Sequence, residues 1–238
     1  MRKIWLSSAL IVLLAQTSFA QKKDVSFNAA DGFSLRGSFY IAKNPGPGVL
    51  LLHQCNADRQ VYDQLGTMLS TAGYNVLAFD FRGFGGSIGQ KTPAKMAADV
   101  DAALSFLTSQ NTVNSRALGI VAGDCAVNEA IHAAQRLAEI RTLVVLSGGT
   151  DSEGEAFIKA ASRVPIFGAA SEEDTDAVAA TKKLVGLSSH RDSRIELLKD
   201  AGHGASMFAK QPDLEADIVI WFRSNLPVGG YGLPPAIK

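Results

Sequence analysis

The segment Leu118-Gly119-Ile120-Val121-Ala122-Gly123-Asp124-Cys125-Ala126-Val127-Asn128 decides how the chain is read. An apolar run reaches a glycine, and a helix-like pattern begins three residues later. That is the layout of a strand entering a helix through a tight, strained turn, a geometry that lifts one side chain above the sheet. Such a turn needs small residues two before and two after its tip. Asp124 meets the requirement with Ala122 and Ala126, whereas Cys125 meets it half way, with Gly123 before it and the β-branched Val127 after. Both are candidates for the tip, with Asp124 favoured on steric grounds. The plainer alternative is an ordinary glycine turn with no special residue.

Outward from this segment the pattern alternates. Apolar runs over 48–53, 75–81, 117–122, 142–146, 164–169 and 195–198 are separated by helix-like stretches near 59–72, 94–109, 126–138, 153–162, 175–185 and 213–224. Continuous apolar strands between amphipathic helices predict a mostly parallel sheet covered on both faces, an α/β fold. Two earlier strand-like runs, 24–29 and 33–41, are joined across Asp31-Gly32 as an N-terminal β-hairpin, which makes eight strands. The connection 147–163 holds about one helix and leaves no room for a helical cap domain. In such sheets functional groups gather at the carboxyl ends of the strands.

At 238 residues and 47% apolar content the chain suits one domain with a large core. Its formal charge of +0 gives no sign of a nucleic-acid partner. Met1-Arg2-Lys3, an apolar run from Ile4 to Ala15, and Ser18-Phe19-Ala20 read as a cleaved export signal over 1–20, with the mature chain starting at Gln21. The run is shorter than the ~20 residues of a membrane span, so an anchored or membrane-associated protein is the weaker reading. The expected product is a single domain over 21–238, with a Gly/Pro-rich tail at 227–238, in the periplasm or secreted. Neither a phosphate loop nor a Cys/His cluster with metal spacing is present, so neither a cofactor nor a metal is expected, and the expected partner is a small-molecule substrate.

The strand-end loops, taken in order, hold His53-Gln54-Cys55, then Asp80-Phe81-Arg82-Gly83-Phe84-Gly85-Gly86-Ser87, then the turn at Asp124, then Ser171-Glu172-Glu173-Asp174, and finally Gly202-His203-Gly204. This series resembles the α/β-hydrolase superfamily, particularly its small members without a lid, over nearly all of the mature chain. The turn would be that superfamily's nucleophile elbow, and its order of nucleophile, acid and histidine is kept. The DxRGxGxS loop and the GHG turn are the more specific matches, while His53-Gln54 departs from the usual HG.

The resemblance implies that His203 is the catalytic base and that Asp174, after the seventh strand, orients it. Asp174 could instead cap the helix beginning at Thr175, with Glu173 and Asp176 as substitute acids. It implies an oxyanion hole from the backbone N–H groups of Cys125, if Asp124 is the tip, and Cys55. His53 would order its loop, His132 and His190 would be structural, and Asp80 and Arg82 would brace their loop as a pair. The two cysteines would flank one small cavity. Free thiols are the expectation, because a bridge needs narrow geometry.

Three functions follow. With Asp124 at the tip, the resemblance narrows to members with an aspartate nucleophile, such as haloalkane dehalogenases and epoxide hydrolases, which attack an alkyl carbon and hydrolyse the resulting ester. Those families lean on a cap that this chain lacks. With Cys125 at the tip, it resembles dienelactone hydrolases, in which a thiolate attacks an ester carbonyl on a lidless core. The third reading is a non-catalytic binding protein that has lost the nucleophilic serine. The favoured expectation is an exported hydrolase of small ester-like or alkyl substrates.

Overall fold

The computed structural model describes residues 21–161 and 163–229. The segment read as an export signal and the end of the tail lie outside the described residues. All eight expected strands form one sheet in the order β1-β2-β4-β3-β5-β6-β7-β8. They are β1 (Gln21–Asn28), β2 (Ser34–Ile41), β3 (Gly46–Leu52), β4 (Asn75–Asp80), β5 (Val113–Gly123), β6 (Ile140–Leu146), β7 (Ile166–Ser171) and β8 (Arg194–Leu198). The first three in that order pair antiparallel and the rest parallel. The hairpin closes through residues 29–33, where Ala29 N–H donates to Phe33 O at 2.9 Å and Gly32 has φ 82°.

Among the described residues five α-helices connect strands, α1 (Asp63–Thr71), α2 (Met96–Thr108), α3 (Val127–Arg136), α4 (Ser152–Ala160) and α5 (Thr175–Leu187), and a sixth, α6 (Asp213–Asn225), follows β8. The strand side chains alternate between two cores. Leu50, Leu52, Ile120, Leu143 and Val145 face the layer containing α2 and α3. Val49, Leu51, Val121, Val144 and Leu146 face the layer containing α1 and α6. Burial on both faces is why these strands read as unbroken apolar runs rather than as alternating ones. Gly119 marks a close approach on the α6 side, since a Cβ there would lie 2.4 Å from Phe222 Cε1. Trp221 is fully buried beside it, and its indole N–H donates to Thr142 Oγ1 at 2.8 Å.

The topology determines where a site can form. From β3 the chain first goes to β4 on one side and then returns to place β5 on the other, so the direction of winding switches between β3 and β5. Leu52 and Ala122 are register partners at the ends of those strands. The loop after β3 and the turn after β5 therefore leave the sheet side by side. No helix among the described residues is long and apolar enough to cross a membrane.

Candidate active site

The turn after β5 has the strained geometry. Asp124 lies in the left-handed region at φ 45°, and Cys125 does not. A short 3-10 turn, Asp124–Ala126, then feeds α3. Left-handed backbone costs an ordinary residue roughly 1–2 kcal/mol, and aspartate tolerates it better than most. Ala122 and Ala126 are fully buried, and Gly148 crosses so closely that a Cβ would fall 2.8 Å from Asp124 O. Small neighbours are therefore a packing requirement here.

His203 stands between two carboxylates. Its Nδ1–H donates to Asp174 Oδ2 at 2.5 Å, and its Nε2 faces Asp124 Oδ1 at 3.4 Å. Partial burial works against the imidazolium. The Asp174 hydrogen bond, with the charges of Asp124 and Asp174, outweighs it, and the pKa is raised above the usual histidine value. The Asp124 carboxylate accepts no hydrogen bond from the N–H of Cys55 or Cys125 among the described residues; its charged neighbour is His203.

Asp174 makes contacts of both kinds that the sequence offers it. Its Oδ1 accepts from Ala177 N at 3.2 Å, capping α5, while Oδ2 holds His203. The cap fixes the carboxylate that fixes the imidazole. Glu173, a substitute acid by position, does other work. It accepts from Ser171 Oγ at 2.7 Å and from Asp200 N at 2.9 Å, and Ser171 Oγ accepts in turn from Ala201 N at 3.0 Å. This small network clamps the loop before His203, where Asp200 and Gly202 are both left-handed, at φ 51° and 97°. Asp176 lines the cavity beside the elbow without reaching His203.

The departure from HG to His53-Gln54 has a structural purpose that the motif did not reveal. Gln54 is fully buried and spans from the β3 loop to the His203 loop. Its Oε1 accepts from Ala205 N at 2.8 Å, and its Nε2 donates to His203 O at 3.2 Å and Ser206 Oγ at 3.0 Å. Gly123 and Gly204 leave room for it, since a Cβ at either would meet Gln54 Oε1, at 3.2 and 2.6 Å. The glycines beside Asp124 and His203 thus accommodate one strut. His53 orders its loop as expected. Phe81 N–H donates to Nε2 at 3.1 Å, which leaves Nδ1–H to donate to Gln54 O at 2.8 Å, and burial lowers its pKa.

Two expectations are corrected. Cys55 and Cys125 are joined in a disulfide, with Cα atoms 6.0 Å apart, and are not free thiols. Each lies three residues beyond a member of the Leu52–Ala122 register pair, so parallel pairing carries them to bonding distance. The bridge removes Cys125 as a nucleophile in this state. Asp80 and Arg82 do not pair with each other. Asp80 pairs with Arg59 and accepts from Gly86 N, while Arg82 pairs with Asp99 at 2.6 Å and Asp31 at 2.9 Å. Both still brace the loop, through partners in other elements. His132 bonds Asp151 at 3.0 Å on the surface, and His190 accepts from Asp192 N at 3.2 Å within its own loop.

A cavity of about 690 Å³ opens over Asp124, Cys125 and His203, with Ser147, Thr150 and Asp176 on its walls. Among the described residues no group of three or more His, Cys, Asp or Glu side chains could hold a metal ion. The site offers a carboxylate on a strained turn and an imidazole oriented by Asp174.

Known proteins agree with this architecture. An esterase of Pyrococcus furiosus superposes with TM-score 0.67 at 17% identity, covering 87% of this chain and 92% of its own. A predicted CIB-like hydrolase of Thermoplasma acidophilum gives 0.70 at 17%, covering 86% and 99%. A dienelactone hydrolase of Anabaena variabilis gives 0.69 at 16%, covering 87% and 99%. In sequence, an uncharacterized protein of Mycobacterium tuberculosis is 33% identical over 115 residues, 48% of this chain and 41% of that protein. A thiohydrolase of Aspergillus aculeatus is 31% identical over 102 residues, 41% of this chain and 32% of that protein. The chain thus spans well under half the length of these curated relatives. Residues 43–165, more than half of the chain, match the family described as serine aminopeptidase, S33. The chain belongs to that hydrolase family, within the α/β-hydrolase superfamily, and carries Asp124 at the left-handed tip of its elbow.

Proposed function

We propose that the protein is an exported hydrolase of small ester-like or alkyl substrates, with Asp124 as nucleophile, His203 as base and Asp174 as its orienting acid. One observation carries the reading: the left-handed Asp124 presents its carboxylate 3.4 Å from His203 Nε2, while Nδ1 is held by Asp174. An esterase and a dienelactone hydrolase of the same fold, and a related thiohydrolase, favour an ester-like substrate.

The charges suit two half-reactions. The carboxylate attacks a saturated alkyl carbon of the substrate, the bond from that carbon to the departing halide or carboxylate breaks, and an alkyl ester of the enzyme forms. While Asp124 is ionised, its charge helps to keep His203 protonated. Esterification cancels that charge, so His203 releases its proton more readily once the intermediate exists. The neutral imidazole then takes a proton from water, which attacks the Asp124 carboxyl carbon. The N–H groups of Cys55 and Cys125 would receive the developing oxyanion. The base is thus activated by the intermediate that it must hydrolyse.

The test is a single turnover in oxygen-18 water with enzyme in excess over a panel of short esters and alkyl halides, followed by peptide mass analysis. Label in the Asp124 peptide is expected, because one carboxyl oxygen then derives from water. Turnover with no label there would refute the aspartate mechanism, and no turnover on any substrate would favour a non-catalytic binding pocket. Cleavage between Ala20 and Gln21 would be read from the mass of the exported protein.

A further inference from the structure

We infer that the Cys55–Cys125 disulfide is a reducible clamp that positions the two halves of the oxyanion hole, so that the thiol redox state of the surroundings sets the rate of ester hydrolysis. The inference rests on the reading of the site given above. Three observations lead to it. The bridge joins the β3 loop to the residue after the elbow tip, across the point where the sheet changes its direction of winding. Cys125 lines the cavity over Asp124 and His203. Cys55 is exposed and Cys125 partly so, although the residues behind them, His53, Gln54, Gly123 and Ala126, are buried. A core staple would be shielded. This one lies at the mouth, where a second thiol can reach it without unfolding the protein.

The clamp and the buried strut act at different levels. Gln54 ties the β3 loop to the His203 loop from inside. The disulfide ties the same loop to the elbow from outside. Opening the disulfide leaves the triad and the sheet intact, but frees the Cys55 and Cys125 segments to drift relative to one another.

The reductant is a dithiol. Its thiolate attacks Sγ of the exposed residue Cys55, the Cys55–Cys125 bond breaks, and Cys125 leaves as a thiolate that takes up a proton. The second thiol of the reductant then displaces Cys55 from the mixed disulfide. Two electrons and two protons pass to the protein, and the reductant leaves as its own disulfide. Loss of the hole acts on the second half-reaction, in which the oxyanion forms, more than on the first.

The experiment compares oxidised protein, protein reduced with dithiothreitol under native conditions, and the double variant Cys55→Ser/Cys125→Ser. Two thiols per chain should appear before any loss of far-ultraviolet dichroism. Hydrogen exchange should rise over residues 54–57 and 124–127 and not over β3 and β5. On a turned-over substrate, kcat should fall about ten- to hundredfold, less than the roughly hundred- to thousandfold of outright loss of one oxyanion donor, because the donors remain but are no longer held together. The covalent enzyme ester should accumulate in intact mass spectra, and reoxidation should restore the rate in the wild type only. Thiols released only on unfolding, unchanged exchange in the two segments, or reduction that leaves both kcat and ester accumulation unaltered would each overturn the clamp. Protein that never turns over would count against the hydrolase reading, while the exchange measurement still decides the clamp.

Discussion

Replacing Gln54 by leucine should separate the strut from the rest of the site. The side chain is fully buried, and the change keeps its approximate volume while removing one acceptor and two donor bonds. The main cost falls on Ala205 N–H, whose residue is fully buried and whose acceptor is Gln54 Oε1. An orphaned buried donor costs about 1–3 kcal/mol. Ser206 is exposed and His203 half-buried, so water can replace most of what they lose, at a few tenths of a kcal/mol each. The extra apolar area of leucine returns about 1 kcal/mol. The net expectation is a loss of about 1.5 kcal/mol, or a fall of roughly 3–6 °C in Tm for a domain of this size. The His203 carbonyl would no longer be held against the β3 loop, so kcat should drop at least about tenfold, with KM less affected. Thermal melts of oxidised protein, with steady-state kinetics on the same samples, provide the check. A Tm within 1 °C of wild type with unchanged kcat would refute the strut.

Asp124→Asn should abolish formation of the covalent ester and, by removing a negative charge that faces Nε2, lower the His203 pKa, which imidazole NMR titration would read. Glu215, buried in α6, is pushed up to about 7, first by desolvation and against the Leu65 backbone hydrogen bond. Folding therefore favours its protonated form. Its contribution is complete below the unfolded pKa near 4.5 and declines as pH rises through about 7, so Glu215→Gln should flatten that slope and stabilise the protein at pH 8 by on the order of 2 kcal/mol in urea melts. Gly119→Ala should destabilise by about 1–3 kcal/mol through the clash with Phe222, whereas Gly202→Ala, with no atom within 4 Å, should cost only the left-handed backbone term of about 1–2 kcal/mol. Equal and negligible changes in the two glycine variants would refute the packing argument.

Much of the site could be read locally. The apolar run into Gly123 and the small residues Ala122 and Ala126 identify the strained turn because its steric demand acts within five residues. The two glycines around His203 mark its loop for the same reason. Strand and helix order followed from the alternation of apolar runs, since burial on both faces leaves a continuous signal in each strand. Composition and charge added the class of partner to expect, but no substrate, because a cavity wall is assembled from loops far apart in the chain.

Only the tertiary structure could decide the rest. Whether Cys55 meets Cys125 depends on β3 and β5 being neighbours in register, and nothing local to either cysteine, 70 positions apart in the chain, encodes that. The partners of Asp80 and Arg82 come from separate elements, so a reading confined to their own loop paired them with each other. Asp174 read as either a helix cap or a catalytic acid, and three dimensions allow both because its two oxygens point to different elements. Gln54 read as a substitution in a motif, and its function emerges only when Gly123 and Gly204 are brought to either side of it. Local steric demands are written along the chain, whereas pairings across the sheet depend on how the strands are ordered, and that order is a property of the whole packed fold.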